Sequence, residues 1–206
     1  MIGQKFSAAI LAGGAATRMG GKRKALLKLG RGRIIDRILS ALAPLFDDLL
    51  LAVRDPEPFE HLGVRMAEDR FEARCSLTGL HTALTGAEHE HVFVTSCDTP
   101  FLQPELIQAL QRHVTGRQDV VVPTRDGWYH YPLCAIYSKN CLPHVEAALK
   151  QGRHQLIRFF QAVRLDAVPL ADLRPHDPDL LSLFNVNTPE DLEEAERLLA
   201  ESASGH

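Results

Sequence analysis

Between Gly13 and Lys24 the chain concentrates four glycines (Gly13, Gly14, Gly20, Gly21), two arginines (Arg18, Arg23) and two lysines (Lys22, Lys24). Glycine lets successive backbone N–H groups converge on one oxyanion, and nearby cations neutralise it. That composition suits a loop that holds a phosphate chain, although a flexible turn that happens to be basic would look the same. Two familiar phosphate loops fail on spacing. A Walker A loop aligned on Gly21-Lys22 would need glycine at Ala16 and a hydroxyl at Arg23. The dinucleotide fingerprint G-x-G-x-x-G fails because Ala15 stands two residues after Gly13.

A second candidate is Asp98, in Cys97-Asp98-Thr99-Pro100 just after the apolar run His91 to Ser96. A carboxylate at the carboxyl end of a buried strand faces the crevice where open α/β sheets bind ligands. It could hold Mg²⁺, which takes oxygen ligands and shares itself with substrate phosphates. It could also be a turn aspartate ahead of Pro100. Asn185 and Asn187 come at the end of the run Leu181 to Val186. Asn187-Thr188 could simply cap the next helix. The cysteines Cys75, Cys97, Cys134 and Cys141 form no C-x-x-C pair and read as free thiols of a reducing compartment. His89 and His91, flanked by Glu88 and Glu90, read as a solvated polar turn and not a metal site.

The elements that must position these residues alternate. Phe6–Ala12, Asp48–Val53, Gly63–Ala67, His91–Ser96, Asp119–Pro123, Leu133–Tyr137, Arg164–Val168 and Leu181–Val186 are short apolar runs, the signature of strands covered on both faces. Helices are expected around Ile34–Leu42, Leu77–Ala87, Pro104–Leu110, Asn140–Lys150 and Arg153–Val163, with Thr124–Pro132 and Pro169–Asp179 as loops. Thr188-Pro189-Glu190-Asp191 opens a terminal helix with a capping hydroxyl, Pro in the first turn and acid at the positive end of the dipole. Residues 202–206 are expected to fray. The alternation predicts an α/β fold with a mostly parallel sheet between two helical layers, in one domain over 1–206.

Composition bounds the function classes. The 206 residues are 45% hydrophobic and 24% charged, which is ordinary for a globular chain. A net charge of −3 argues against a nucleic-acid or membrane-binding basic face. No apolar run approaches the roughly 20 residues of a membrane span, and Phe6–Ala12 runs into glycine without a cleavage-site pattern, so a cytoplasmic protein is expected.

Taken together the motifs carry a resemblance. Leu11 to Lys24 resembles L-A-G-G-x-x-x-R-M-G-x-x-K, with one extra residue, of the molybdenum cofactor guanylyltransferases (the MobA family), NTP transferases of a GT-A-like, Rossmann-type fold. Ala67-Glu68-Asp69, Leu77-x-Gly79-Leu80, Cys97-Asp98-Thr99-Pro100-Phe101, Pro132-Leu133-Cys134-Ala135 and Phe184–Asp191 resemble further segments of that family, in the same order. The resemblance implies transfer of GMP from GTP to the terminal phosphate of molybdenum-molybdopterin, with pyrophosphate leaving. It implies Lys24, Arg18 and Asp98 as catalytic residues. Leu11, Ala12, Gly13, Gly14 and Asp69 would hold the nucleotide, with Lys24 and Asp98. Mg²⁺ would sit on Asp98, and Asn185 and Asn187 would serve the metal or the second substrate. Arg153 and His154 are candidates for pterin contact, and transient contacts with molybdoenzymes or other cofactor-pathway proteins are implied.

Two departures stand out. Cys75-Ser76 replaces the Gly-Pro of the family's G-P-L-x-G turn, and the second strand ends in Ala52-Val53-Arg54 where the family often has an asparagine. Neither touches the phosphate machinery, but both bear on base selectivity. Cytidylyl transfer to the same cofactor, a sugar-phosphate nucleotidyltransferase, and a non-catalytic nucleotide-binding partner are the alternatives. Cytidylyl relatives resemble L-A-A-G at the loop start; Gly13 here leaves room for a purine edge, and Lys24 and Asp98 are both retained.

Overall fold

The computed structural model describes residues 4–13 and 23–204. Gly14, Arg18 and Lys22 therefore lie outside the described residues. The chain runs β1 (Phe6–Leu11), β2 (Lys28–Leu29), β3 (Gly32–Arg33), α1 (Ile34–Leu42), β4 (Asp48–Val53), β5 (Arg65–Glu68), α2 (Ser76–Gly86), β6 (His91–Ser96) and α3 (Pro104–His113). It continues with β7 (Val120–Arg125), β8 (Tyr129–His130), β9 (Cys134–Ser138), α4 (Leu142–Lys150), β10 (Leu165–Pro169), α5 (Leu170–Leu173) and α6 (Pro189–Ser204).

The main sheet has the order β10-β7-β9-β6-β1-β4-β5, with β8 hung on β7. Neighbours β5, β4, β1 and β6 are parallel, as are β10 and β7. Strand β9 opposes both β6 and β7, so β7 points the same way as β6. Strand β1 alternates its side chains between two cores. Ala8 and Ile10 pack with Ile34, Ile35 and Ile38 of α1 and Leu106, Ile107 and Leu110 of α3. Ala9 and Leu11 pack with Leu77, Leu80 and Leu84 of α2 and Val145 and Leu149 of α4. This is the expected three-layer α/β architecture. Because both faces are covered, β1, β4 and β6 are mostly apolar on both faces, with Ser7, Asp48, His91, Thr95 and Ser96 as their polar members. Truncating a fully buried side chain such as Ile10 to Ala would cost about 2–5 kcal/mol.

Several segments differ from their sequence-based reading. Leu181–Val186 is not a strand. Leu180 takes a left-handed conformation (φ 54°), and a 3₁₀ turn follows over Leu181–Leu183. The buried Asp177 carboxylate accepts the N–H groups of Leu181 (3.0 Å) and Ser182 (2.8 Å), and Ser182 Oγ accepts Gln103 N–H. These side chains satisfy backbone groups that a sheet ladder would otherwise pair. Leu181, Leu183 and Phe184 instead pack against the core on the α1/α3 side of the sheet. The segment Pro169–Asp179 contains α5 and is not all loop. Arg153–Val163 forms a 3₁₀ helix over Leu156–Ala162, driving Phe159 and Phe160 against Tyr137. The loop Thr124–Pro132 contains β8, which folds back on β7. Helix α6 continues to Ser204. His91 is no solvated turn residue: it opens β6, buried, with its Nδ1 2.9 Å from Gln4 Nε2. His89 pairs with Asp47 at 2.8 Å.

Candidate active site

Strand order reverses at β1: the chain first goes out to β4 and β5, then returns to place β6 on the other side. The carboxyl ends of β1 and β6 stay paired, with Leu11 beside Ser96 and Cys97 N–H donating to Leu11 O at 3.2 Å, and a crevice opens beyond them. A cleft of about 270 Å³ occupies this point. Leu11, Ala12 and Gly13 line it from β1, and Ser96, Cys97 and Asp98 from β6. Asp69 reaches it from β5, and Lys24 from the end of the glycine loop.

Lys24 joins three parts of the chain. Its Nζ donates to Asn187 Oδ1 at 2.6 Å and to Asp98 Oδ2 at 3.3 Å, with the Lys24 and Asp98 side chains only 20% and 15% exposed. Asp98 is fixed from behind by the Ser96 hydroxyl, which donates to Oδ1, while its own carbonyl accepts Val186 N–H at 2.8 Å. That backbone bond clips the segment before α6 onto the end of β6. Asn187 is set by the start of α6, where the Asp191 carboxylate accepts the N–H groups of Asn187 (2.8 Å) and Thr188 (2.9 Å) and Thr188 Oγ1 accepts Asp191 N–H. Burial opposes charge on Asp191, but those N–H groups, the Thr188 hydroxyl and the Lys24 charge together hold its carboxyl below the ordinary value. Two hard oxygens, from a carboxylate and an amide, thus converge on one positive charge.

The opposite wall has a different character. Burial pushes the Asp69 carboxyl up from its ordinary value, opposed by a hydrogen bond from Thr82 (2.8 Å) and by the charges of Arg54 and His81. Asp69 Oδ2 lies 3.1 Å from where a Cβ on Gly13 would fall, so any larger residue at 13 would press on this carboxylate. Arg23 is tied to Asp55 at 2.5 Å and sits over the Phe59 ring. Arg74 also borders the cleft.

Among the residues singled out from sequence, Leu11, Ala12, Gly13, Lys24, Asp69 and Asp98 line this cleft, and Asn187 meets it through Lys24. Asn185 does not belong with them: it is exposed and is not part of the lining. Arg153 and His154 are exposed beyond α4 and do not line the cleft either. Ser96, Arg74 and Asp191 were missed in these roles. Ser96 could have been found as the last residue of the strand that delivers Asp98. The link from Asp191 to Asn187 is a capping pattern whose second purpose shows only in three dimensions.

Residues 8–168 match the model of the MobA-like NTP transferase domain family. The chain is 38% identical over 187 residues to a molybdenum cofactor guanylyltransferase of Desulfosudis oleivorans, covering 91% of this chain and 92% of that protein. Its fold is similar to the crystal structure of molybdopterin-guanine dinucleotide biosynthesis protein A from Archaeoglobus fulgidus, with a TM-score of 0.84, 28% identity, and 95% and 99% of the two chains covered.

Proposed function

Because this chain belongs to the MobA-like NTP transferase family, we propose that it transfers GMP from GTP to the terminal phosphate of molybdenum-molybdopterin. A phosphate oxygen of the acceptor bonds to the α-phosphorus, the bond from that phosphorus to the bridging oxygen breaks, and pyrophosphate leaves with that oxygen. The reaction needs alignment and charge neutralisation more than a protein nucleophile. The observation that carries the reading is the meeting of Lys24, Asp98 and Asn187 at the sheet's switch point.

Lys24 brings its ammonium into the crevice, where it neutralises charge building on the phosphates. Asp98 and Asn187 hold that ammonium in place, and Ser96 holds Asp98. We assign the phosphate chain to the backbone beyond Ala12, whose own N–H is given to Ala52 O, while Gly14 and Arg18, outside the described residues, are assigned to it by the family pattern alone. Asp69, on the nucleotide wall, accepts the guanine edge.

The residues present fit Mg²⁺. The Asp98 carboxylate and the Asn187 amide are hard oxygen donors that here hold the Lys24 ammonium, so Mg²⁺ would take them only with Lys24 turned toward the phosphates, and it characteristically takes one or two protein oxygens and completes its shell with phosphates and water. When bound, it would supply charge neutralisation at the reacting phosphates. The described residues contain no helix long and apolar enough to cross a membrane, and all four cysteines are free. Free thiols suit a reducing compartment, and we place the protein in the cytoplasm, handing its product to molybdoenzymes through transient contact.

The test is turnover of molybdenum-loaded molybdopterin by the purified protein with Mg²⁺ and GTP, followed by pyrophosphate release. Faster turnover with CTP would move the chain to the cytidylyl reading.

A further inference from the structure

Trp128 is 69% exposed, the most exposed large apolar side chain among the described residues, and its neighbour Tyr129 is 44% exposed. Neither is needed to fold the sheet. Both sit on a hairpin that is held firmly. Arg125 pairs with Tyr129 across β7 and β8, and Asp126 and Gly127 take positive φ values of 57° and 77° at the turn, the conformation an Asp-Gly pair favours. Thr124 Oγ1 donates to Tyr129 O at 3.1 Å. The Arg125 guanidinium lies 4.7 Å over the Tyr129 ring, and Tyr129 meets Tyr131 edge-on at 5.2 Å. Trp128 meets Tyr129 edge-on at 6.2 Å and 85°, and its indole is open to solvent.

Its position relates it to the crevice. Strand β7 points the same way as β6 and lies two strands from it, so its carboxyl end is about 10 Å along the sheet edge from the end of β6. After the hairpin the chain passes through Pro132 to Leu133, which lines the cleft. The nucleotide wall, with Gly13 and Asp69, is on the other side, over β1 and β5. A ligand whose phosphate reaches Asp98 from the hairpin side would carry its far end over Trp128 and Tyr129.

Resting on the acceptor assigned above, we propose that the acceptor's pterin ring stacks on the exposed face of Trp128, with Tyr129, whose ring stands at 85° to the indole and carries Arg125, meeting it at the edge. The reacting phosphate and the flat bicyclic ring are at opposite ends of that molecule. A flat heterocycle gains most from electron-rich aromatic faces already fixed in place. Stacking of this kind needs no hydrogen-bond readout and tolerates a mobile ligand arm.

Trp128 is the only tryptophan of the chain, so intrinsic fluorescence reports on this hairpin alone. Titration with 6-hydroxymethylpterin monophosphate, corrected for its absorbance, should quench the emission saturably, and GTP should not. Trp128→Ala should raise KM for molybdopterin about ten-fold, the scale of one lost ring stack, with kcat and the KM for GTP within about two-fold of the unaltered protein. Trp128→Phe should restore most of the loss, and a melt on each variant verifies the fold. Emission indifferent to the pterin, quenching by GTP instead, or an unchanged acceptor KM overturns the stacking and leaves guanylyl transfer standing. An unaltered enzyme that is quenched by the pterin but does not use molybdopterin fails the acceptor assignment alone.

Discussion

Lys24 Nζ and Asn187 Oδ1 lie 2.6 Å apart although 163 residues separate them in the chain. The contact closes the crevice between the end of the glycine loop and the start of α6, and it places the ammonium against Asp98 as well. An asparagine is an apt partner, because it accepts from the ammonium without a second full negative charge that would hold it away from phosphate.

The two asparagines should therefore separate cleanly. Asn187→Ala should lower kcat/KM by about 100-fold, as loss of a preorganised contact at developing charge does. Asn185→Ala, at an exposed position away from the cleft, should stay within about three-fold. Steady-state kinetics on the two variants checks this, and comparable losses in both would contradict the arrangement.

Asp98→Ala should reduce turnover by about 1,000-fold or more, consistent with several kcal/mol of charge stabilisation at the metal site. Its melt should stay within a few degrees of the unaltered protein, because Lys24 keeps Asn187 as a partner. An active variant would remove Asp98 from the chemistry.

Ser96→Ala should leave the fold intact but free the Asp98 carboxylate to rotate. The expected result is about a ten-fold rise in the Mg²⁺ concentration needed for half-maximal rate, as for other groups that orient a metal ligand. Saturating Mg²⁺ should recover most of the rate. An unchanged Mg²⁺ curve would show the hydroxyl to be dispensable.

Asp69 should trade stability for binding. Burial raises its carboxyl in the folded state, so the fold is penalised at neutral pH and relieved as pH falls below the unfolded carboxylate value of about 3.9. Asp69→Asn should raise the melting temperature at pH 7 and weaken GTP binding, measured by calorimetry. A lower melt with unchanged GTP affinity would contradict this.

Asp119 has the opposite sign. Arg164 beside it donates from its guanidinium (2.7 and 3.0 Å) and its backbone N–H (2.9 Å), and these bonds hold the carboxyl far below the carboxylate range. Its stabilisation is present above the unfolded value and is lost as pH falls through the folded one. With the guanidinium 59% exposed, solvent screening keeps the contribution of the pair small. Asp119→Asn should melt lower at pH 7 by a few degrees, and the gap should narrow only as pH falls from the unfolded value of about 3.9 toward the far lower folded one. Melts that run parallel across pH would contradict it.

The legible parts of this protein were those where one physical signal dominates. Strands β4 and β6 match their apolar runs because both faces of the sheet are covered. The start of α6 was equally plain from Thr188, Pro189 and the following acids. Leu181–Val186 misled because an apolar run of that length suits a buried strand or a coil packed on helices, and Asp177 decides between them only once folded. Asp98 and Lys24 could be named from their neighbours in sequence. Which asparagine joins them could not, since Asn185 and Asn187 are the same residue type two positions apart. The aromatic hairpin looked like an ordinary loop, because its ring array depends on pairing with β7.

The central claim is tested most directly by competition between nucleotides. Purified protein with Mg²⁺ and molybdenum-loaded molybdopterin, offered GTP and CTP at equal concentration, should release pyrophosphate and accumulate the guanine dinucleotide cofactor. Equal or greater accumulation of the cytosine dinucleotide would contradict the guanylyl assignment.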